Sequence, residues 1–386
     1  MLRPPTVQAG SLAVGYATAI WLMTAVLTPF AAAADGADTR DAAVVEIPLD
    51  VAVPMLVRDA GVRRELQLSQ TDERELDRLL VKWNDRLFSL RMLSPEADAE
   101  QIDSILSGFR SGLQQIFTPE QLARLKGLKL QAHGWRSLKD PAVADELKLT
   151  AAQRKKIVTA LQRTADAVQK EKQSDAAGDE AVLESRLKSI QADEHEQLTA
   201  TLTTKQKRRW LELVGPRYDL STVRQSAGKA PELSGITGWL NSPPLTLEGQ
   251  RGRVVVLHFI AADCINCIRN LPHYQSWHEQ FADRDVTVLG VHSPETSAER
   301  DTAHVRKQLA GHGVTYPVAL DAKMETWNAW TNRMWPSTYL IDKQGEVRFW
   351  WYGELRWQGA EGDRLVRERI EKLLAEDFAT DDSQRR

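Results

Sequence analysis

Two cysteines are all that this chain of 386 residues contains, and only two residues separate Cys264 from Cys267. Closing so short a loop removes little entropy from the unfolded chain, so a structural staple explains the pair poorly. Charge of one sign is also lacking. Lysine and arginine number 50 against 53 aspartates and glutamates, for a net charge of −3. That balance offers neither a basic footprint for nucleic acid nor an acidic solvating tail. Beyond the N-terminus no segment approaches the ~20 apolar residues that a membrane span needs. His133 and His195 stand alone, and no second Cys-x-x-Cys is present to complete a tetrahedral zinc set. No metal or organic cofactor is expected. At 42% hydrophobic and 27% charged the chain is too apolar to be disordered. It is also too long for one ordinary core, so two domains are expected.

The N-terminus carries one early charge, Arg3, followed by an uncharged stretch from Ser11 to Ala34 that includes Ile20-Trp21-Leu22-Met23. It closes on Ala31-Ala32-Ala33-Ala34 before Asp35. A charged start, an apolar middle and small residues before a polar turn describe a secretory signal over 1–34, cleaved after Ala34. The alternative is an uncleaved membrane anchor. Under either reading the rest of the chain is exported, to a periplasmic or extracellular location. Oxidising conditions there make a lone, closely spaced cysteine pair more suggestive of redox chemistry than of stapling.

Residues 35–54 read as a linker, and 55–215 as an all-α domain. Glycine and proline are sparse in that region, and apolar residues recur at helical spacing, as in Leu76, Leu79, Leu80, Trp83 and Leu87. The domain also repeats. Asp59 lines up with Asp140, 81 positions on, carrying Val62, Glu65, Leu66 and Leu68 onto identical residues. A Leu-Thr-x-x-Gln pattern occurs at Leu149-Thr150-Ala151-Ala152-Gln153 and Leu202-Thr203-Thr204-Lys205-Gln206, with Phe117-Thr118-Pro119-Glu120-Gln121 as a variant. Each threonine stands where an N-cap belongs, so each motif is expected to start a helix. Gly215-Pro216 ends the region, and 216–230 read as a second linker.

From 231 to 376 the pattern becomes α/β, ahead of a polar tail at 377–386. Strands are expected over 254–260, 286–291, 337–341 and 347–351, with helices over 267–281, 298–310 and 365–374. Cys264-Ile265-Asn266-Cys267 falls at the first strand-to-helix junction. There the unpaired amides and the helix dipole stabilise a thiolate, which is the attacking species in disulfide exchange. Cys264 is therefore the expected nucleophile and Cys267, one turn along, the resolving thiol. Pro336 in Trp335-Pro336-Ser337-Thr338-Tyr339 stands just before a strand. Five tryptophans, Trp330, Trp335, Trp350, Trp351 and Trp357, concentrate in the last third. Some are expected in the core and some, Trp335 among them, at a docking surface for protein substrates.

Four ordered motifs now make a family visible. They are Cys264 to Pro272, Gly290-Val291-His292-Ser293-Pro294-Glu295, Tyr316 to Asp321, and Trp335 to Asp342. Together they resemble the TlpA/DipZ-type thioredoxin-like proteins. The Leu-Thr-x-x-Gln motifs more weakly resemble the Spy/CpxP-like helical proteins, some of which act as chaperones. The first resemblance implies a thioredoxin fold and a dithiol/disulfide exchanger with protein thiol substrates, partnered by a membrane electron donor. It also implies a cis Pro336 packed near the cysteines, against the alternative of a trans proline opening an edge strand. Thioredoxins usually carry a buried carboxylate six residues before the first cysteine. Here His258 stands there, either as a proton relay or as a packed core residue. Asp263 replaces the usual tryptophan, and its charge is expected to raise the Cys264 pKa. The sequence thus predicts an exported thiol–disulfide oxidoreductase whose redox group is the Cys264–Cys267 disulfide. The competing reading is a helical binding or chaperone-like envelope protein carrying a redox-dormant thioredoxin-like domain.

Overall fold

The structure, a computed structural model, describes residues 49–93, 97–172, 180–357 and 360–378. The expected signal at 1–34 lies outside the described residues, as do most of the 35–54 linker and most of the 377–386 tail. The chain divides into two compact units. Among the described residues one comprises 49–79 with 106–225, and the other 80–105 with 226–378. Residues 80–105, read from the sequence as part of the 55–215 helical region, thus group with the C-terminal unit.

The first unit is helical. Its elements include α1 (Ala52–Arg58), α2 (Ala60–Glu65), the start of α3 (Gln70–Ser89), the end of α4 (Ala99–Ile116), α5 (Pro119–His133), α6 (Pro141–Glu146), α7 (Ala151–Lys172), α8 (Glu180–Thr201) and α9 (Thr204–Val214). The segments aligned at Asp59 and Asp140 share their backbone geometry. Asp59 caps α2 by accepting from Val62 N at 2.9 Å, and Asp140 caps α6 by accepting from Val143 N at 3.2 Å. Each helix then ends on a residue with positive φ, Gln67 at 53° and Lys148 at 52°. Beyond it Leu68 N donates to Arg63 O, and Leu149 N to Ala144 O. This is the hydrogen-bond pattern that closes helix ends through a left-handed residue.

The threonine motifs are reciprocal capping boxes. Thr118, Thr150 and Thr203 each accept from the amide of the glutamine three residues on, and that glutamine accepts from the threonine's own amide. Glutamine does more here than glutamate could. Gln153 Nε2 donates to Gln206 Oε1 at 2.8 Å, and Gln206 Nε2 donates back to Gln153 Oε1 at 3.1 Å. The two motifs are therefore bound to each other through groups a carboxylate lacks. Below them Trp210, stacked on Trp135 at 3.9 Å, packs among Leu130, Ile157 and Leu198.

The C-terminal unit is built on a mixed sheet. Its strands are β1 (Gly238–Leu240), β2 (Val254–Ile260), β3 (Val286–His292), β4 (Val318–Leu320), β5 (Ser337–Ile341) and β6 (Val347–Tyr352), in spatial order β1-β4-β3-β2-β5-β6. β2 lies between parallel β3 and antiparallel β5, and all seven of its residues are buried. That explains its unbroken apolar run, since a strand covered on both faces has no solvent side to mark by alternation. The helices are α10 (Ile265–Gln280), α11 (Thr302–Gly311), α12 (Glu325–Ala329) and α13 (Gly362–Ala375). The strands β1 and β4 and the helix α12 had no sequence signal, because three to five residues carry too few positions for a period to show. The helix expected over 298–310 is broken at Asp301. That residue has φ −79° and ψ 111°, and its side chain caps α11 by accepting from Ala303 N.

Residues 80–105 join this unit through Phe88 and Arg91. The Phe88 ring meets Trp330 edge-on at 5.6 Å. Arg91, 4% exposed, donates to the carbonyls of Phe88 and Trp330 and, at 3.1 Å, to Thr331 Oγ1. Arg91→Met keeps much of the apolar stem but removes these donors, leaving buried carbonyls without partners. We expect a stability loss of about 2–3 kcal/mol by urea unfolding. A change below about 0.5 kcal/mol would show that Arg91 does not hold this segment in place.

Candidate active site

β2 ends at Ile260, and after a three-residue turn Cys264 becomes the N-cap of α10, with φ −73° and ψ 115°. Its amide donates to Ala261 O and its carbonyl accepts from Ile268 N. The side chain is half-buried against the core, while Cys267 is 1% exposed. Both are free thiols. The Cys267 thiol donates to the Cys264 sulfur, and this contact more than any other lowers the Cys264 pKa, to about 7. Partial burial opposes it, and the amides of Cys267 and Asn266 assist. Burial first, and then the thiol's bond to Cys264, push Cys267 well above its ordinary value. The two sulfurs therefore divide the work by environment, one ionising near neutrality and the other held protonated.

The Trp335–Pro336 bond is cis. Pro336 is buried at the start of β5, and its carbonyl accepts from Gly353 N at 2.8 Å. Trp335, which packs against the same apolar core as Cys264, is half-buried. Its ring stacks on Trp327 at 4.0 Å, and its Nε1 donates to Ser293 O at 3.1 Å. Trp330 and Trp350 are core residues, whereas Trp357 is 49% exposed beneath the Arg269 guanidinium.

His258 sits mid-strand on β2 with no exposure. Its ring stacks on Tyr274 at 3.8 Å and meets Tyr316 edge-on at 5.2 Å. Gly290, its register partner on β3, leaves the ring room, since a Cβ there would lie 3.3 Å from it. Among the described residues neither ring nitrogen has a hydrogen-bond partner, and burial pushes the pKa down to about 3.

Asp263 is arranged differently from the sequence expectation. Its carboxylate turns to His304, accepting from Nε2 at 2.9 and 3.0 Å. Glu295 opposes ionisation of both cysteines, behind the larger effects of burial and hydrogen bonding. Sequence reasoning quoted Glu295 only as part of a motif. It missed Glu299, buried and accepting from the amides of Asp263, Glu295 and Thr296. Asn270 too was quoted only as part of a motif; it accepts from Leu355 N at 2.8 Å and donates to Gly353 O at 3.1 Å. Among the described residues no group of three or more His, Cys, Asp or Glu side chains could hold a metal ion.

Residues 228–350 match the AhpC/TSA family. Protein DipZ of Mycobacterium tuberculosis is 43% identical over 156 residues, covering 40% of this chain and 21% of that protein. Over 147 residues the thiol-disulfide oxidoreductase YkuV of Bacillus subtilis is 27% identical, covering 38% of this chain and 94% of that protein. The C-terminal unit is a thioredoxin-like domain, and the TlpA/DipZ type fits it. A crystal structure of a thioredoxin-like superfamily protein is 31% identical, covering 39% of this chain and 99% of that one, with a TM-score of 0.36. The chain spans about a fifth of the length of the DipZ proteins it matches. The AhpC/TSA match, residues 228–350, lies wholly outside the helical unit.

Two titrations check the site. Alkylation of Cys264 by iodoacetamide should rise with pH through a midpoint near 7, because only the thiolate reacts. In Cys267→Ala that midpoint should move upward, since the leading thiolate-stabilising bond is gone; an unmoved midpoint contradicts the assignment. For His258, the unfolded chain takes up a proton near the ordinary value of ~6.5, whereas the folded thioredoxin-like domain does so only near 3. Between those values the unfolded state binds more protons, so stability falls as pH drops. Urea midpoints at pH 7 and pH 4 should therefore differ less in His258→Phe than in the wild type. Equal differences would place the acid sensitivity elsewhere.

Proposed function

We propose that this chain is an exported thiol–disulfide oxidoreductase acting on protein thiols and disulfides. The observation that carries the reading is the half-buried Cys264 thiol, lowered to about 7 by a buried Cys267 that donates to it. In the reductive direction the Cys264 thiolate attacks one sulfur of a substrate disulfide. The substrate S–S bond breaks, its second sulfur leaves as a thiolate, and a mixed disulfide remains. Cys267, once deprotonated, attacks Cys264 Sγ and releases the other substrate thiol. The substrate has then gained two electrons, and the centre holds a Cys264–Cys267 disulfide. Run backwards, the same steps oxidise a dithiol. No further redox cofactor is required, and a membrane electron donor would return the centre to its reduced form.

Pro336 has no N–H, so the backbone beside it is left to pair with an extended substrate segment. Trp335 braces that turn through Trp327 and Ser293, and any docking role would fall to its remaining exposed edge. For His258 the packed-core reading is the stronger, because the ring fills the space left by Gly290 and is held neutral by burial. The helical unit we read as an internally duplicated scaffold rather than a client cradle. Its motif glutamines are engaged in caps and in each other. Export rests on the sequence of residues 1–34; among the described residues no helix is long and apolar enough to cross a membrane.

Cys264→Ala should abolish exchange with glutathione and with a disulfide-bonded peptide. Cys267→Ala should accumulate a mixed disulfide with that peptide, visible by mass spectrometry. A wild-type pair that does not equilibrate with glutathione, together with a Cys267→Ala variant that traps nothing, would leave the domain redox-dormant.

A further inference from the structure

The carboxylate of Glu299 is 2% exposed, and it lies on the 3-10 turn Ala298–Arg300. Its Oε1 accepts from the amide of Asp263, the residue before the nucleophile, at 2.8 Å. Its Oε2 accepts from the amides of Glu295 at 2.8 Å and Thr296 at 2.9 Å. One side chain thereby ties the loop that delivers Cys264 to the loop that follows β3. The second loop is anchored in turn: Ser293 N donates to Ile260 O, and Ser293 O accepts from Trp335 Nε1. Three loops around the thiols, those of Cys264, Ser293–Thr296 and Pro336, form one stitched frame with Glu299 inside it.

That frame fixes where Glu295 stands. We propose that Glu299 is a positioning residue for the thiol centre, and that by anchoring the Glu295 backbone on the same carboxylate as the Asp263 amide, beside Cys264, it keeps the Glu295 charge near the thiols and makes the pair a stronger reductant. This rests on the thiol-exchange reading above. A fixed negative charge disfavours the thiolate, and hence the reduced form, relative to the uncharged disulfide. The Glu295 and Asp263 amides share one carboxylate, which puts the Glu295 loop beside Cys264, and from there its charge opposes ionisation of both cysteines. The other charged and titratable groups nearby leave it standing. Asp263 and His304 are paired with each other. His292 is pushed down to about 4 by burial, so it supplies no positive charge at neutral pH. Arg269, further along α10, is paired with Glu354. Glu295 itself is solvent-exposed, so its influence should be screened by salt.

The test is the equilibrium of the full chain with reduced and oxidised glutathione, at low and high ionic strength. Glu295→Gln removes the charge but leaves the backbone amide that Glu299 holds, so the frame survives. The reduced fraction should rise, with the equilibrium constant moving on the order of threefold toward the dithiol at low salt. Most of the wild-type salt dependence should disappear. In Glu299→Gln an NH2 group faces amide donors in place of one oxygen, the loop is released, and the shift should have the same sign. The double variant should shift no further than either single variant. If the Glu299 variant does not fold, amide hydrogen exchange in the wild type decides the positioning half: Glu295 and Thr296, on an exposed loop, should exchange slowly. An unchanged equilibrium in Glu295→Gln overturns the proposal, as do additive shifts in the double variant or fast exchange at those amides. Failure of the wild type to exchange with glutathione at all would instead defeat the functional reading itself.

Discussion

Hydrogen bonding from β3 on one side and β5 on the other holds β2 at the interior of the sheet, and the point where β2 stops places the nucleophile. Its seven residues are buried, so the chain has no freedom to slip without exposing apolar side chains or burying polar ones. Immediately beyond lies the N-terminus of α10, where the first amides lack intrahelical partners. A thiol at that cap receives the amides of Asn266 and Cys267 and the thiol of Cys267. The lowered Cys264 pKa thus depends on a backbone arrangement in which only residues 261–264 separate the end of a strand from the start of a helix.

Buried polar side chains help to hold the surrounding loops. Glu299 joins the Cys264 and Ser293–Thr296 loops. Asn270 performs the same task on the other side of α10, bonding Gly353 and Leu355. Asp321, at the end of β4, accepts from Ser293 Oγ and from the amides of Thr326 and Trp327. Each bonds backbone groups of these loops, so directional bonds help to set the geometry near the sulfurs.

The helical unit uses the same device for another end. Its threonine motifs stop and start helices, and Gln153 and Gln206 bind two of the motifs together. The shared positive φ at Gln67 and Lys148 shows that the resemblance between the two segments extends to the backbone. A helix-capping motif and a packing motif are here the same five residues.

Much of this was legible in the chain itself. The unbroken apolar run at 254–260, the two cysteines directly after it and the Trp335-Pro336 pair 70 residues on determine a thioredoxin-like domain, because strand period, helix caps and proline chemistry are local properties. The threonine motifs named their helix starts for the same reason. The tertiary structure alone decided which carboxylate acts on the thiols. Asp263 is adjacent to Cys264 in sequence but pairs with His304, while Glu299, beyond the end of another strand, binds the Asp263 amide and that of Glu295. It also decided that Arg91 and Phe88 belong with the sheet, and that His258 lies against Tyr274 and Tyr316 with no hydrogen-bond partner among the described residues. Electrostatic influence and burial depend on distance in space, and a sequence orders residues only along the chain.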